Sequence, residues 1–204
     1  MKVLAEREAE DFLRKYVPVA KSVLLKKGVK FWKPPFVLKL SSVEALHKSD
    51  MGGVKIVRKS SEAGEAYNAL LSIAKKKKLK KYGMLMQEYV EGVEMIIGVK
   101  RDPSFGAVLM AGAGGTLVEL IKDVSFRVCP ITDGDAQQML DELKTKKLLY
   151  GFRSRPKCNI AALKKMMVKV SQLAVKRKIE ELDINPVIVN AAGAKVVDAR
   201  IVMG

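Results

Sequence analysis

Apolar residues near the start of the chain recur at helical spacing. Ala9, Phe12, Leu13 and Tyr16 fall three and four residues apart, which predicts helix through roughly the first 30 residues with an interruption at Pro18. FVLKL, residues 36–40, follows Pro34 and Pro35 and reads as a short strand beginning after the prolines. VKIVRK, residues 54–59, predicts a second strand, so HKSDMGG, residues 47–53, is expected in a turn between two strands. Residues 61–80 carry a helical pattern stopped at Tyr82-Gly83.

From Met84 the pattern changes to short apolar runs. MLMQEYV, VEMIIGVKRD, FGAVLMAGAGG and SFRVCPI predict successive strands, separated by the turn chemistry of Glu91-Gly92, Asp102-Pro103 and Gly112–Gly115. Residues 133–149 and 159–178 predict two helices, the second with Ala162, Met166, Val170 and Leu173 on one stripe. ELDINPVIVNAAGAKVVDARIV, residues 181–202, predicts two closing strands around an Ala-Ala-Gly turn. Strands mixed with helices without regular alternation give an α+β fold, with no internal repeat. A chain of 204 residues can hold one core or two small lobes around a cleft. The change of texture puts the expected division at 1–84 and 85–204.

Composition narrows the class. Hydrophobic residues are 49% and charged residues 29%, and no apolar run reaches the ~20 residues that span a bilayer. The N-terminus lacks an apolar export segment, so the expected location is the cytoplasm, with no membrane partner. Cys129 and Cys158 have no CxxC spacing and only one His in the chain, which argues for reduced thiols rather than zinc or a disulfide framework. The net charge of +16 implies an anionic partner without choosing among nucleic acid, nucleotide, phosphate and an acidic subunit. KKKKLKK, residues 75–81, sits where cations complement a helix C-terminus and reads as a solvated helix end. With 6% aromatic residues and no RNP-like strand, platforms for stacking bases are poorly supplied. Nucleic acid is therefore not expected as a partner, and a non-catalytic basic nucleic-acid or scaffold module stands only as the alternative.

Candidate chemistry concentrates in four places. Lys39, in the middle of the apolar FVLKL, either snorkels to a sheet edge or points at a ligand anion. GAGG, residues 112–115, could offer backbone N–H groups to an anion, or be a plain tight turn. Glu181, Asp183 and Asn185 alternate on one strand face, and Asp198 lies on the strand expected to pair with it. Such a row of hard oxygens suits Mg²⁺, which takes one or two protein ligands beside phosphate oxygens and water. His47, the single histidine, stands before Lys48, Ser49 and Asp50 and close to Gly52 and Gly53, which let backbone approach a phosphate.

VLKLSSVEALHKSDMGGVKI, the block from MLMQEYV to RVCPIT, and ELDINPV with VVDARI resemble the ATP-grasp (beta) subunit of ADP-forming acetyl-CoA or acyl-CoA synthetases, relatives of succinyl-CoA synthetase. The similarity runs from about Pro35 to the C-terminus. It implies an ATP-grasp fold, two α/β lobes with mostly antiparallel sheets around a nucleotide cleft. It implies the reaction acyl-CoA + ADP + phosphate ⇌ acid + CoA + ATP, with Mg²⁺ as cofactor and ATP or ADP as substrate. The implied partner is an alpha-type subunit carrying the CoA-binding and acyl-CoA ligase domains. By the same resemblance Lys39 contacts the nucleotide phosphates, Gln87, Glu88, Tyr89 and Val90 form the adenine hinge, and Glu94 holds the ribose, while Gly52 and Gly53 would let the backbone sit close to a phosphate. Asn185 and Asp198 are implied as the Mg²⁺ positions and His47 as a phosphoryl carrier to ADP. Gly114 and Gly115, Glu119 and Arg127 are implied near the transfer site. Two segments depart from the family pattern: KKGVKFWKPP shortens the small lobe, and the hinge between Gln87 and Glu94 is about one residue short. An ATP-grasp ligase of another substrate class is the nearer alternative, disfavoured by the HKSD segment.

Overall fold

The computed structural model describes residues 1–4, 6–26, 30–42, 52–115, 122–151 and 156–204. Its contacts gather into two compact units, Ala20–Tyr89 and a larger one made of Met1–Val19 with Val90–Gly204. The division therefore differs from the expected one at 84/85, because the N-terminal segment belongs to the larger unit. Strand β1 (Lys2–Leu4) pairs antiparallel with the last strand of the chain, Ala199–Met203, and helix α1 (Glu6–Leu13) packs Ala9 and Leu13 into the larger core.

The first 30 residues are thus not one interrupted helix. Helix α1 stops at Leu13, Val19 makes a bridge to Val196, and Ser22–Leu24 forms strand β2. Pro18 disfavours helical backbone at Val17 and cannot donate a helical hydrogen bond, so the chain leaves the helix there.

In the smaller unit four strands pair antiparallel in the order β2-β5-β3-β4, with β3 at Phe36–Ser41, β4 at Val54–Val57 and β5 at Gly83–Glu88. Helix α2 (Ala63–Lys76), preceded by a 3-10 turn at Ser60–Glu62, covers one face. Strand alternation sends Phe36, Leu38 and Leu40 toward that helix, where they meet Leu70, Ala74, Met84 and Met86. Burying each of these large side chains is worth roughly 1.5–3 kcal/mol, which holds the register of β3. Lys75 to Lys78 are exposed at the C-terminal end of α2, as a solvated run requires.

The larger unit is built on a seven-stranded sheet. Its further strands are β6 (Val93–Asp102), β7 (Gly106–Ala113), β8 (Val124–Val128), β9 (Ile179–Asn190), β10 (Gly193–Val196) and β11 (Ala199–Met203). They run in the order β1-β11-β9-β6-β7-β8, all antiparallel, with β10 also paired to β9. Helices α3 (Asp133–Glu142) and α5 (Ile160–Lys176), with the short α4 (Lys147–Tyr150) between them, cover one face. Met139, Leu140, Leu163, Met167 and Val170 pack there against Ile97, Leu109, Leu182 and Ile184. Glu94, Lys100, Glu181, Asp183 and Asn185 take the alternate positions and are exposed on the opposite face.

Two further expectations change. The C-terminal segment forms three strands, since β10 and β11 pair in turn with the same edge of β9. The helix expected over 133–149 is split, because the Asp123 carboxylate accepts the backbone N–H groups of Lys144 and Thr145 and ends α3 before them. Both cysteines are free thiols, and burial pushes Cys129 up to about 11 and raises Cys158 as well.

Candidate functional site

The larger sheet brings two of the sequence candidates together. Residues Asn185 and Pro186 form a bulge in β9: Ile184 pairs with Ile97 and Val187 with Met95, so two residues of β9 oppose Ile96 alone. Proline has no N–H for a ladder, and a bulge is a place where a sheet tolerates it. On the other edge of β9 the pairing with β11 ends at Ile184 and that with β10 begins at Val187. The gap is bridged by Asn185 N–H donating to Asp198 C=O at 3.2 Å and Val197 N–H donating to Pro186 C=O at 3.2 Å. Asn185 and Asp198 are therefore neighbours by backbone hydrogen bonding, a half-buried carboxylate beside an exposed amide.

Glu181 and Asp183 lie four and two residues before Asn185 on the same face, with Arg200 in register with Asp183. Desolvation pushes the Asp183 carboxyl up, the Glu181 carboxylate adds to it, and Arg200 opposes both. Among the described residues no group of three His, Cys, Asp or Glu side chains converges as a metal cage. A cation bound here could be offered the side-chain oxygens of Asn185 and Asp198, with the remaining positions left to phosphate and water, a donor set that would fit Mg²⁺.

Glu94, on the same face, is joined to the glycine loop. Gly114 N–H donates to Glu94 C=O at 2.7 Å, and a Cβ on Gly114 would lie 3.0 Å from Glu94 backbone and side-chain carbon. Gly115 has φ +89, a conformation that L side chains rarely adopt, and a Cβ there would approach Glu94 Oε2 at 3.3 Å. Gly92, read from sequence only as a turn residue, has a stronger requirement. A Cβ would lie 2.4 Å from Val189 C=O, so the segment leading to Glu94 crosses β9 with no room for a side chain.

In the smaller unit Lys39 is 5% exposed and Gln87 is 1% exposed, on the face of the sheet opposite α2. Lys39 is in register with Leu85 on one side and Val54 on the other, and Gln87 with Val37 in the next same-face row. Lys39 is thus buried on an inner strand, between β4 and β5, rather than at an edge of the sheet. Gly53 C=O accepts Leu40 N–H at 2.8 Å, and Gly52 has φ +69. Glu88 ends β5, and the Tyr89 ring lies 5.3 Å from the Arg58 guanidinium. His47 and Glu119 lie outside the described residues.

Arg127 is separated from this set by the parity of β8. It is in register with Leu109, a core residue, whereas Phe126 is in register with Met110 on the opposite face. Arg127 therefore points to the helix-covered side, where it pairs with Glu142 of α3 while Ser125 also donates to Glu142. The ion pair raises Arg127 and, with Ser125, lowers Glu142. Arg127, expected near phosphoryl transfer, thus ties β8 to α3 through this ion pair.

The buried Asp123 had no sequence signal, being one acid among many. Its desolvation would raise the carboxyl, but three hydrogen bonds from Thr145 side chain, Lys144 N–H and Thr145 N–H outweigh it and the folded pKa is lowered. A depressed carboxylate contributes stability above its unfolded pKa near ~3.9 that disappears as pH falls through the folded value. Asp123→Asn is expected to cost about 1.5–3 kcal/mol at neutral pH, the scale of a hydrogen bond to a charged group. Denaturant titrations should show the gap to wild type narrowing below about pH 4; a constant gap would reject the role of the charge.

A family model described as an ATP-grasp domain matches residues 1–203. The beta subunit of acetate–CoA ligase [ADP-forming] I from Pyrococcus furiosus is 40% identical over 212 residues, covering 98% of this chain and 91% of that protein. The chain belongs to the ATP-grasp family, in the group of ADP-forming acetate–CoA ligase beta subunits. As an ATP-grasp chain it is also 40% identical to 4-hydroxybutyrate–CoA ligase [ADP-forming] of Nitrosopumilus maritimus, over 97% of its own length but only 30% of that protein. It likewise spans 30% of acetate–CoA ligase [ADP-forming] II of Archaeoglobus fulgidus. Among solved structures, acetyl-coenzyme A synthetase 1 of Ca. Korarchaeum cryptofilum with coenzyme A, Ca-AMPCP and HgCl+ matches with a TM-score of 0.90 and 41% identity, covering 100% of this chain and 94% of that one. A second structure of that synthetase, with Mg-AMPPCP and its phosphohistidine segment pointing towards the nucleotide binding site, matches with a TM-score of 0.81 and 40% identity. The antiparallel sheets and mixed helices are those of the ATP-grasp fold. No helix among the described residues is long and apolar enough to cross a membrane.

Proposed function

We propose that this chain is the nucleotide-binding part of a cytoplasmic ADP-forming acyl-CoA synthetase, catalysing acyl-CoA + ADP + phosphate ⇌ acid + CoA + ATP together with a subunit that carries the CoA-binding and acyl-CoA ligase domains. The observation that carries this reading is the similarity along nearly the whole length of a chain named as a beta subunit. The Korarchaeum structure with Mg-AMPPCP supports Mg²⁺-nucleotide as the ligand.

In this reading Lys39 neutralises phosphate oxygens, and its buried position makes that charge worth more than an exposed one. Gln87 to Val90 present the hinge to the adenine, and Glu94 accepts the ribose hydroxyls while the Gly114–Gly115 loop, which has no side chains to intervene, stays packed on it. Gly52 and Gly53 let backbone approach the phosphates. Asn185 and Asp198 would hold Mg²⁺, which would neutralise phosphate charge and help to orient the phosphates for in-line transfer. His47 carries the phosphoryl group: as the P–N bond to the imidazole breaks, a P–O bond forms to the terminal oxygen of ADP, and the leaving imidazole takes up a proton. Glu119 is placed near this transfer by the resemblance. Arg127 contributes through the β8 to α3 tie rather than by touching the nucleotide.

Titration calorimetry tests this reading. The chain is expected to bind one Mg-ADP, alone or with its partner. A folded sample that shows no saturable binding in either state would overturn the proposal.

A further inference from the structure

A concavity of about 450 Å³ lies within the larger unit, at the ends of β9 and β10 and against α5. That volume is in the range of small-molecule sites, roughly 300–1,000 Å³. Of the candidate nucleotide residues only Val90 lines it. Val17, Pro18, Val90, Met166 and Ile188 supply apolar walls, and Ala162, Lys165, Met166 and Lys169 present one helical stripe of α5 to it.

The charged side chains among the described lining residues are of one sign. Lys165, Lys169 and Lys195 line the cavity, and no carboxylate is among the described lining residues. The Asn190 amide is spent on its own turn: it donates to Glu91 C=O at 2.7 Å and accepts from Ala192 N–H at 2.9 Å and Gly193 N–H at 3.2 Å. The Tyr16 hydroxyl accepts from Arg177 at 2.8 Å. Lys169 donates to Tyr16 C=O at 3.3 Å, which uses one of its three N–H groups. Ammonium donors over an apolar pocket select a ligand with an apolar body and an anionic end, and reject a cationic one.

Pro18 and Val90 lie at the two points where the chain passes between the larger unit and the smaller one, at Val19/Ala20 and Tyr89/Val90. We infer that this cavity is a binding site, sharing only Val90 with the candidate nucleotide positions, for a small amphipathic anion whose head group is a carboxylate or a phosphate ester.

The test follows the Met166 methyl signal in methionine-methyl-labelled full-length chain, titrated with octanoate, octyl phosphate or neutral octanol. Both anions are expected to shift Met166 saturably at one per chain, roughly tenfold more tightly than octanol, a difference of about 1.4 kcal/mol. The tighter of the two anions identifies the head group. Lys165→Glu with Lys169→Glu should remove that preference, and Ala162→Phe, which fills the cavity from α5, should abolish binding in a chain whose circular dichroism is unchanged. Absence of a saturable shift, equal affinity for octanol, or displacement of octanoate by Mg-ADP would overturn the inference. A chain that failed to bind Mg-ADP would still answer the octanoate titration.

Discussion

Replacing His47 with asparagine, in the complex reconstituted with its partner, is expected to reduce ATP formation from acyl-CoA, ADP and phosphate by at least about 10³-fold while the partner is still phosphorylated. The loss is large because a covalent relay has no partial substitute: asparagine keeps polarity and approximate size but has no nitrogen lone pair able to accept a phosphoryl group. Radiolabelled phosphate should therefore accumulate on the partner and fail to reach ADP. Calorimetry with Mg-ADP on the same variant should be close to wild type, since the substitution removes a carrier and not the nucleotide contacts. ATP synthesis within a few fold of wild type would reject the relay, whatever the binding result.

Asp198→Ala and Asn185→Ala are expected to weaken Mg-ADP binding by on the order of 10²-fold, with a matching rise in the Mg²⁺ concentration needed for half-maximal turnover. Loss of one of two protein ligands cannot be made good by water without losing the orientation that the site imposes on the phosphates. The structure makes this a clean experiment. The two residues are joined through Asn185 N–H and Asp198 C=O, main-chain groups that survive both substitutions. Pairing of β9 with β10 and β11 should persist, and thermal unfolding should report it. Unchanged Mg²⁺ dependence in either variant would remove that residue from the metal site.

Much of this site was legible from spacing. Glu181, Asp183 and Asn185 alternate in sequence and share one exposed sheet face, because strand side chains repeat every two residues. Lys39 inside FVLKL was readable as unusual, but its burial required the register of β3 between β4 and β5. Arg127 shows the limit of the same rule. Alternation assigns residues of β8 to two faces without saying which face the helices cover, and only the pairing of Leu109 with Arg127 settles it. Gly92 was visible as a turn residue, yet its real constraint is the carbonyl of Val189, almost a hundred residues away.

The alternation of the strands, the oxygen-rich face of β9, the glycine-bearing turns and the family to which the chain belongs are all readable from the order of the residues alone. These follow from local backbone periodicity and from motifs, which are properties of neighbouring residues. The tertiary structure decided that the N-terminal strand completes the large sheet, that the C-terminal segment folds as three strands, and that Asn185 and Asp198 meet across a bulge. It also turned Arg127 away from them and ended α3 on Asp123. Each of those outcomes depends on which distant segment supplies a hydrogen-bond partner or an apolar surface, a choice made by the packing of the whole sheet.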